Sequence, residues 1–275
     1  MNAASYVLVG YDGLPASEHA LRWAVREARL RRLGLRVVHA WYWPYPAEYD
    51  DYQVRAIVRR TGEHVLDRGV ALARRMAPEV RVRKRLMDGP PHAALMSEGH
   101  DAELIVVGSH EKGVLPVGST ASWLPARAHR PVVAVRTSGF EHAVVCVDGA
   151  AGGERALAFA FEQAALRGWR LDAVCGSRDP DSVQDRGPFD DDEFRWGAAR
   201  LERAVRPWLE KYRVNVRLAV LPKTPREAML EAAASAGLVV VGHRGATGPD
   251  PLGLTATSGA LLRNAPCTVA VVRAE

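Results

Sequence analysis

Short, unbroken apolar runs alternate along this chain with longer stretches in which apolar side chains recur every three or four residues. Tyr6 to Gly10 is the first run. Beyond its turn, Leu21, Ala24, Val25 and Ala28 stand at i, i+3, i+4 and i+7, the stripe of an amphipathic helix. The pattern then predicts a strand over Leu35–Ala40, a helix over Gln53–Arg75, a strand near Val80–Leu86, and a helix near His92–Gly99 led by prolines suited to a first helical turn. Leu104–Val107 is a continuous aliphatic run, as a strand buried on both faces requires, and a last helix and the strand Val132–Val135 follow.

The whole order then returns 134 to 136 residues later. Asp12-Gly13 recurs as Asp148-Gly149, the helical stripe as Leu157, Ala160, Phe161 and Ala164, and Gly108 as Gly242. Strands are predicted over Leu171–Cys175, Val214–Leu221, Leu238–Val241 and Val269–Val272, with helices over Phe194–Tyr212 and Pro225–Ala234. Solenoid repeats have periods of about 20 to 50 residues, so a repeat this long is a duplicated domain. Alternating strands and helices give an α/β domain with a parallel sheet covered on both faces. Domains over residues 1–138 and 139–275 are expected, divided in the polar stretch Arg136 to Glu141.

Composition narrows the partners. A net charge of +5 and a pI near 9.3 are modest for 275 residues, and the arginines are spread over helices, so no nucleic-acid partner is expected. No apolar run approaches the roughly 18 residues of a membrane helix, and the N-terminus does not read as a signal peptide. A cytoplasmic protein without a membrane partner is the expectation. Cys146, Cys175 and Cys267 lack the CxxC spacing of a zinc site and read as small buried side chains in a reducing compartment; no metal is expected.

Val9-Gly-Tyr-Asp-Gly-Leu-Pro15, Leu21-Arg-Trp-Ala24, Val38-His-Ala-Trp41, the Gly108 loop and Asn264-Ala-Pro-Cys-Thr-Val269 resemble the universal stress protein family in its tandem two-domain form. The resemblance covers nearly the whole chain. It implies two similar domains, each a five-stranded parallel sheet with helices on both faces, of the adenine-nucleotide alpha-hydrolase-like kind. It also implies that the domains pair through their final strands and, in one branch of the family, that ATP is bound. Self-association into a homo-oligomer is a further expectation.

In open α/β sheets ligands lie beyond the carboxyl ends of the strands, where helix N-termini offer free N–H groups to phosphate. The resemblance places the aspartate after the first strand at the adenosine end and wraps the phosphates in a G-x2-G-x9-G-[ST] loop. The first domain keeps Asp12, Gly13, Gly108, Gly118 and Ser119, but Glu111 stands at the second glycine and six residues, not nine, precede Gly118. The second keeps Asp148, Gly149, Gly242 and Gly245, with Thr255-Ala256 where Gly-Ser is expected, and Pro249 and Pro251 remove two backbone donors. Val38, Thr120, Thr257 and Ser258 complete the candidate nucleotide contacts. On this alignment Glu111→Gly raises nucleotide affinity less than Thr255→Gly with Ala256→Ser, because the deletion persists.

Catalytic constellations are not legible. Gly113–Thr120 has P-loop spacing, but Ser119 occupies the lysine position. His110 and His243 read as polar loop side chains in water, His39 as a hydrogen-bonded core histidine, and Ser97, Ser109 and Ser119 have no identifiable histidine and acid partners. The aromatic stretch Trp41–Pro46, with Tyr49 and Tyr52, either packs on itself or covers a ligand or partner. Its counterpart, Gly176 to Asp192, is aspartate-rich and reads as solvated, or as a cation-binding loop. Three functions stay open: a stress-responsive regulatory or binding protein that takes ATP in one or both domains, a nucleotide-independent interaction protein, and a weak ATP-hydrolysing or adenylating enzyme. The last would need a serine- and glycine-rich phosphate loop where Asp12-Gly-Leu-Pro15 stands.

Overall fold

A computed structural model describes residues 5–43, 51–109, 119–147, 153–178, 191–244 and 253–274. The chain divides into two compact units, one built mainly from residues up to Arg136, the other mainly from Thr137 to Glu275. The first unit runs β1 (Tyr6–Gly10), α1 (Pro15–Arg31), β2 (Gly34–Trp41), α2 (Tyr52–Met76), β3 (Val82–Asp88), α3 (Pro91–Glu98), β4 (Leu104–Gly108), α4 (Thr120–Arg127) and β5 (Val132–Val135). Its strands lie in the order β3-β2-β1-β4-β5, and every pairing among them is parallel. The chain starts mid-sheet, winds outward to β3 and then crosses back to β4, so the strand order reverses between β1 and β4.

The second unit repeats this as β6 (His142–Cys146), α5 (Gly153–Arg167), β7 (Arg170–Gly176), α6 (Asp191–Lys211), β8 (Val216–Leu221), α7 (Pro225–Ala233), β9 (Leu238–His243), α8 (Ala256–Asn264) and β10 (Thr268–Arg273). Its strand order is β8-β7-β6-β9-β10, again all parallel. Each unit is therefore a five-stranded parallel sheet with helices on both faces.

The apolar pattern explains the cores. Leu21, Ala24, Val25 and Ala28 of α1 are at most 4% exposed, as are Leu157, Ala160, Phe161 and Ala164 of α5. The aliphatic runs of β4 and β9 are buried along their length, as expected for strands sandwiched between helices. All three cysteines are buried, and none of them is in a disulfide.

Two side chains depart from the sequence expectation. His243 does not sit in a solvated loop: it is the last residue of β9 and fully buried. The reason is the length of β10, which reaches Arg273 and pairs it with His243, while the Ala274 N–H donates to the His243 carbonyl (2.8 Å). The other departure is Trp41, which closes β2 as a buried strand residue. Of the aromatic stretch it heads, residues 44–50 lie outside the described residues, as do 179–190 of the aspartate-rich segment.

Candidate functional site

The tip of β1 is shaped by Asp12. Its Oδ1 accepts the Leu14 N–H (2.9 Å), while the Asp12 N–H donates to Ser17 Oγ (3.3 Å) and the Ser17 hydroxyl donates to the Leu14 carbonyl (2.9 Å). This Asx turn leads the chain straight into α1, whose Pro15 begins the helix. Gly13 holds the turn at φ +82°, a conformation that favours glycine. Oδ2 of Asp12 has no hydrogen-bond partner among the described residues, and the residue is exposed.

Beyond the strand tips lies a cavity of about 150 Å³ lined by Gly10, Tyr11, Asp12, Val38, His39, Ala40, Val107 and Gly108 from the sheet. Leu14, Ala16 and Ser17 of the α1 entry, Pro91 and Leu95 of α3, and Thr120 of α4 complete it. The structure thus brings Asp12, Val38, Gly108 and Thr120 to one cavity, at the place where the strand order reverses. Ser119 is the residue before α4, and its Oγ donates to Ser122 Oγ (3.1 Å). Gly118 lies outside the described residues, with His110, Glu111 and Lys112.

Among the described residues no lysine or arginine lines this cavity, and Asp12 is the one carboxylate. Positive potential comes instead from the N-termini of α1 and α4. The His39 Nδ1 stands 2.8 Å from the Tyr11 carbonyl, which can only accept, so Nδ1 carries the proton and ties β2 to the β1 tip. Burial raises the Tyr11 phenol above its ordinary pKa, so it stays neutral. Its ring packs where Gly69 of α2 leaves room: a Cβ there would lie 2.6 Å from Tyr11 Cδ1. Tyr11, His39, Pro91 and Leu95 were missed as site residues; the first two lie inside the motifs Val9–Pro15 and Val38–Trp41, which was the available signal.

Gly108 has a structural task. A Cβ on it would meet the Ala16 carbonyl at 2.6 Å and the Ser17 nitrogen at 2.8 Å, so glycine is what lets β4 end against the first turn of α1.

The second unit is built differently at the same place. Gly176 of β7 corresponds to Ala40, and a Cβ there would stand 2.5 Å from the Pro225 nitrogen and 2.6 Å from the Thr224 carbonyl carbon. The start of α7 is therefore pressed onto the β7 tip, fixed by a capping box between Thr224 and Glu227. Arg200 of α6 adds to the seal, with Nη2 2.7 Å from Cys175 Sγ and 3.4 Å from the Gly176 carbonyl. Asp148, Gly149 and Gly245 lie outside the described residues; Gly242 is in β9.

The α8 entry corrects the loop alignment. Thr255 caps α8, accepting the Ser258 N–H (3.2 Å), at the position Ser119 holds before α4. The hydroxyl thought lost at Ala256 is thus present as Thr255, and the glycine place falls to Leu254, which is 1% exposed. Thr257 lies in the first turn of α8, while the buried Ser258 hydroxyl turns back onto Thr255, leaving it unavailable to a ligand without rearrangement.

A match to the universal stress protein family model covers residues 5–136 and again 139–273. The chain belongs to the universal stress protein family. Relatives resemble it over most of their length: the universal stress protein Rv2005c of Mycobacterium tuberculosis is 30% identical, with 97% of this chain and 96% of that protein covered. Rv2623 of the same organism is 31% identical over 90% and 89% of the two chains. Among solved structures, a universal stress protein from Archaeoglobus fulgidus DSM 4304 superposes with a TM-score of 0.77 at 19% identity, covering 99% of this chain and all of the other. That likeness speaks for the fold.

Proposed function

We propose that this universal stress protein is a stress-responsive binding protein that takes ATP in its first domain, over residues 1–138, and does so as a sensor and not as an enzyme. The carrying observation is the convergence of Asp12, Val38, Gly108 and Thr120 on one cavity at the reversal of strand order, next to two helix N-termini. The free Oδ2 of Asp12 suits a ribose hydroxyl, Val38 and Leu95 suit the faces of a base, and the start of α4 suits phosphate. Asp12, Gly13, Val38, Gly108, Gly118, Ser119 and Thr120 are the proposed contacts. In the second domain, over residues 139–275, the pressed-in α7 and Arg200 oppose a base at the equivalent place. A cytoplasmic location, pairing of the domains and assembly into homo-oligomers belong to the same reading.

One observation favours a nucleotide-independent interaction protein instead: about 150 Å³ is below the roughly 300 to 1,000 Å³ of ordinary small-molecule sites. Titration calorimetry with ATP separates the two. One ATP per chain, lost at least about tenfold in Ala40→Leu, which fills the cavity from a strand, supports the proposal. No binding at millimolar ATP, or two equal sites, overturns it. Rapid turnover of the bound ATP would favour the enzyme.

A further inference from the structure

We propose that His39 is the positioning residue of the cavity at Asp12: its imidazole sets the β1 tip and thereby the carboxylate that receives the nucleotide. This inference rests on the nucleotide reading above. Val38 and Ala40 line the cavity together with Pro91 and Leu95 of α3. Successive strand residues face opposite ways, so the His39 ring turns to the other face of the sheet, where it meets Gly62 of α2. It acts on the site through Tyr11.

The chain leaves β1 through the peptide plane between Tyr11 and Asp12, and that plane is held at both ends. Its carbonyl, on Tyr11, accepts from His39 Nδ1 (2.8 Å), and its N–H, on Asp12, donates to Ser17 Oγ (3.3 Å). The Tyr11 N–H donates in turn to the Val38 carbonyl (2.8 Å), so both backbone groups of Tyr11 are bound to successive residues of β2. Turning the plane would swing the Asp12 carboxylate off the Leu14 N–H, and the imidazole opposes that turn. Helix α2 is shaped to admit the rings. Gly62 and Gly69 lie two turns apart on it; a Cβ on the first would stand 3.1 Å from His39 Cδ2, and one on the second 2.6 Å from Tyr11 Cδ1. Glycine weakens a helix interior, and here each one gives a ring of the β1 tip its room. The second unit has no such ring. By strand register Cys175 stands where His39 does, its sulfur against the Gly176 carbonyl (3.4 Å) and Arg200 Nη2 (2.7 Å). Val147 takes the place of Tyr11, with its N–H on the Val174 carbonyl (2.9 Å).

Two measurements on the full chain test this, one without ligand and one with ATP. At about pH 8.5 the long-range proton–nitrogen correlation spectrum of the ligand-free protein should show the His39 ring with its proton on Nδ1. His39→Leu should speed amide exchange at Asp12 and Leu14 at least about tenfold, and His39→Asn, whose side-chain amide can donate from near the place of Nδ1, should bring it back to within about threefold. In titration calorimetry ATP should bind at least about fivefold more weakly to His39→Leu and nearly as in the wild type to His39→Asn. Asp12→Asn keeps the acceptor for Leu14 and removes the charge; in that background His39→Leu should add less than about twofold, because its effect passes through the carboxylate. A proton on Nε2, tip amides unchanged in His39→Leu, ATP binding unchanged in His39→Leu, or a full additive loss in the Asp12→Asn background each overturns the proposal. So does an equal loss of ATP in the Leu and Asn variants. A wild type that ignores millimolar ATP removes the nucleotide reading and this role with it, and the ligand-free spectra then tell whether the tie to Tyr11 failed as well.

Discussion

Single glycines separate packing from ligand contact in this fold. At Gly108 an added methyl group meets backbone atoms of Ala16 and Ser17, which cannot swing aside without moving α1. At Gly10 the nearest atom is Leu95 Cδ1, 2.9 Å away at the end of a rotatable side chain. Gly108→Ala should therefore cost about 1 to 3 kcal/mol in urea denaturation and Gly10→Ala distinctly less; equal losses would show that β4 does not depend on that close approach. Glu27 is a second residue-scale test. It is fully buried and paired with Arg31, so Glu27→Ala leaves a guanidinium that is 6% exposed with its principal partner gone. A loss of about 3 to 5 kcal/mol is expected in the same assay. A loss under about 1 kcal/mol would mean that the other contacts of Arg31 carry the charge.

Among the elements, the cap of α8 is informative. Thr255 accepts the Ser258 N–H, so Thr255→Ala should cost about 1 kcal/mol while Thr255→Ser costs a fraction of that, measured by chemical denaturation. Equal effects of the two would assign the helix start to another group. Strands and helices were legible because their periodicities are local: the stripe of α1 and the aliphatic run of β4 read directly as the elements they form. The α8 entry was not, because spacing counted across a loop of altered length cannot tell Thr255 from Ala256, whereas a hydrogen bond to a helix N–H can. His243 was misread for a related reason. Its burial depends on how far β10 runs, and neither its own neighbours nor the glycine before it carries that information. The closure of β7 by α7 depends on a missing methyl group at Gly176, which becomes meaningful only when Pro225 is seen 2.5 Å from the place a Cβ would take.

For the whole molecule, pH dependence of stability is expected from two histidines among the described residues, both in the second unit. Burial is the leading cause for each: His243 and His142 are held below the ordinary imidazole value of 6.5, with Asp172 partly opposing the shift at His142. Between the folded-state pKa and 6.5, the unfolded chain binds more protons than the folded one. Stability from this source is therefore complete above about pH 6.5, declines as pH falls toward the folded-state values, and saturates below them. Nine histidines in the sequence make the gross pH profile ambiguous, so the test is a difference. The thermal midpoint of the wild type should fall on going from pH 7 to pH 5.5, and His142→Gln with His243→Gln, whatever its absolute midpoint, should fall less over the same interval. His243→Gln alone should supply a substantial part of that flattening, because its ring is fully buried whereas Asp172 stands 3.8 Å from His142 to favour its charged form. A double variant with an unchanged slope would show that neither imidazole is kept neutral by the fold, and that the second unit accepts a charge at the end of β9.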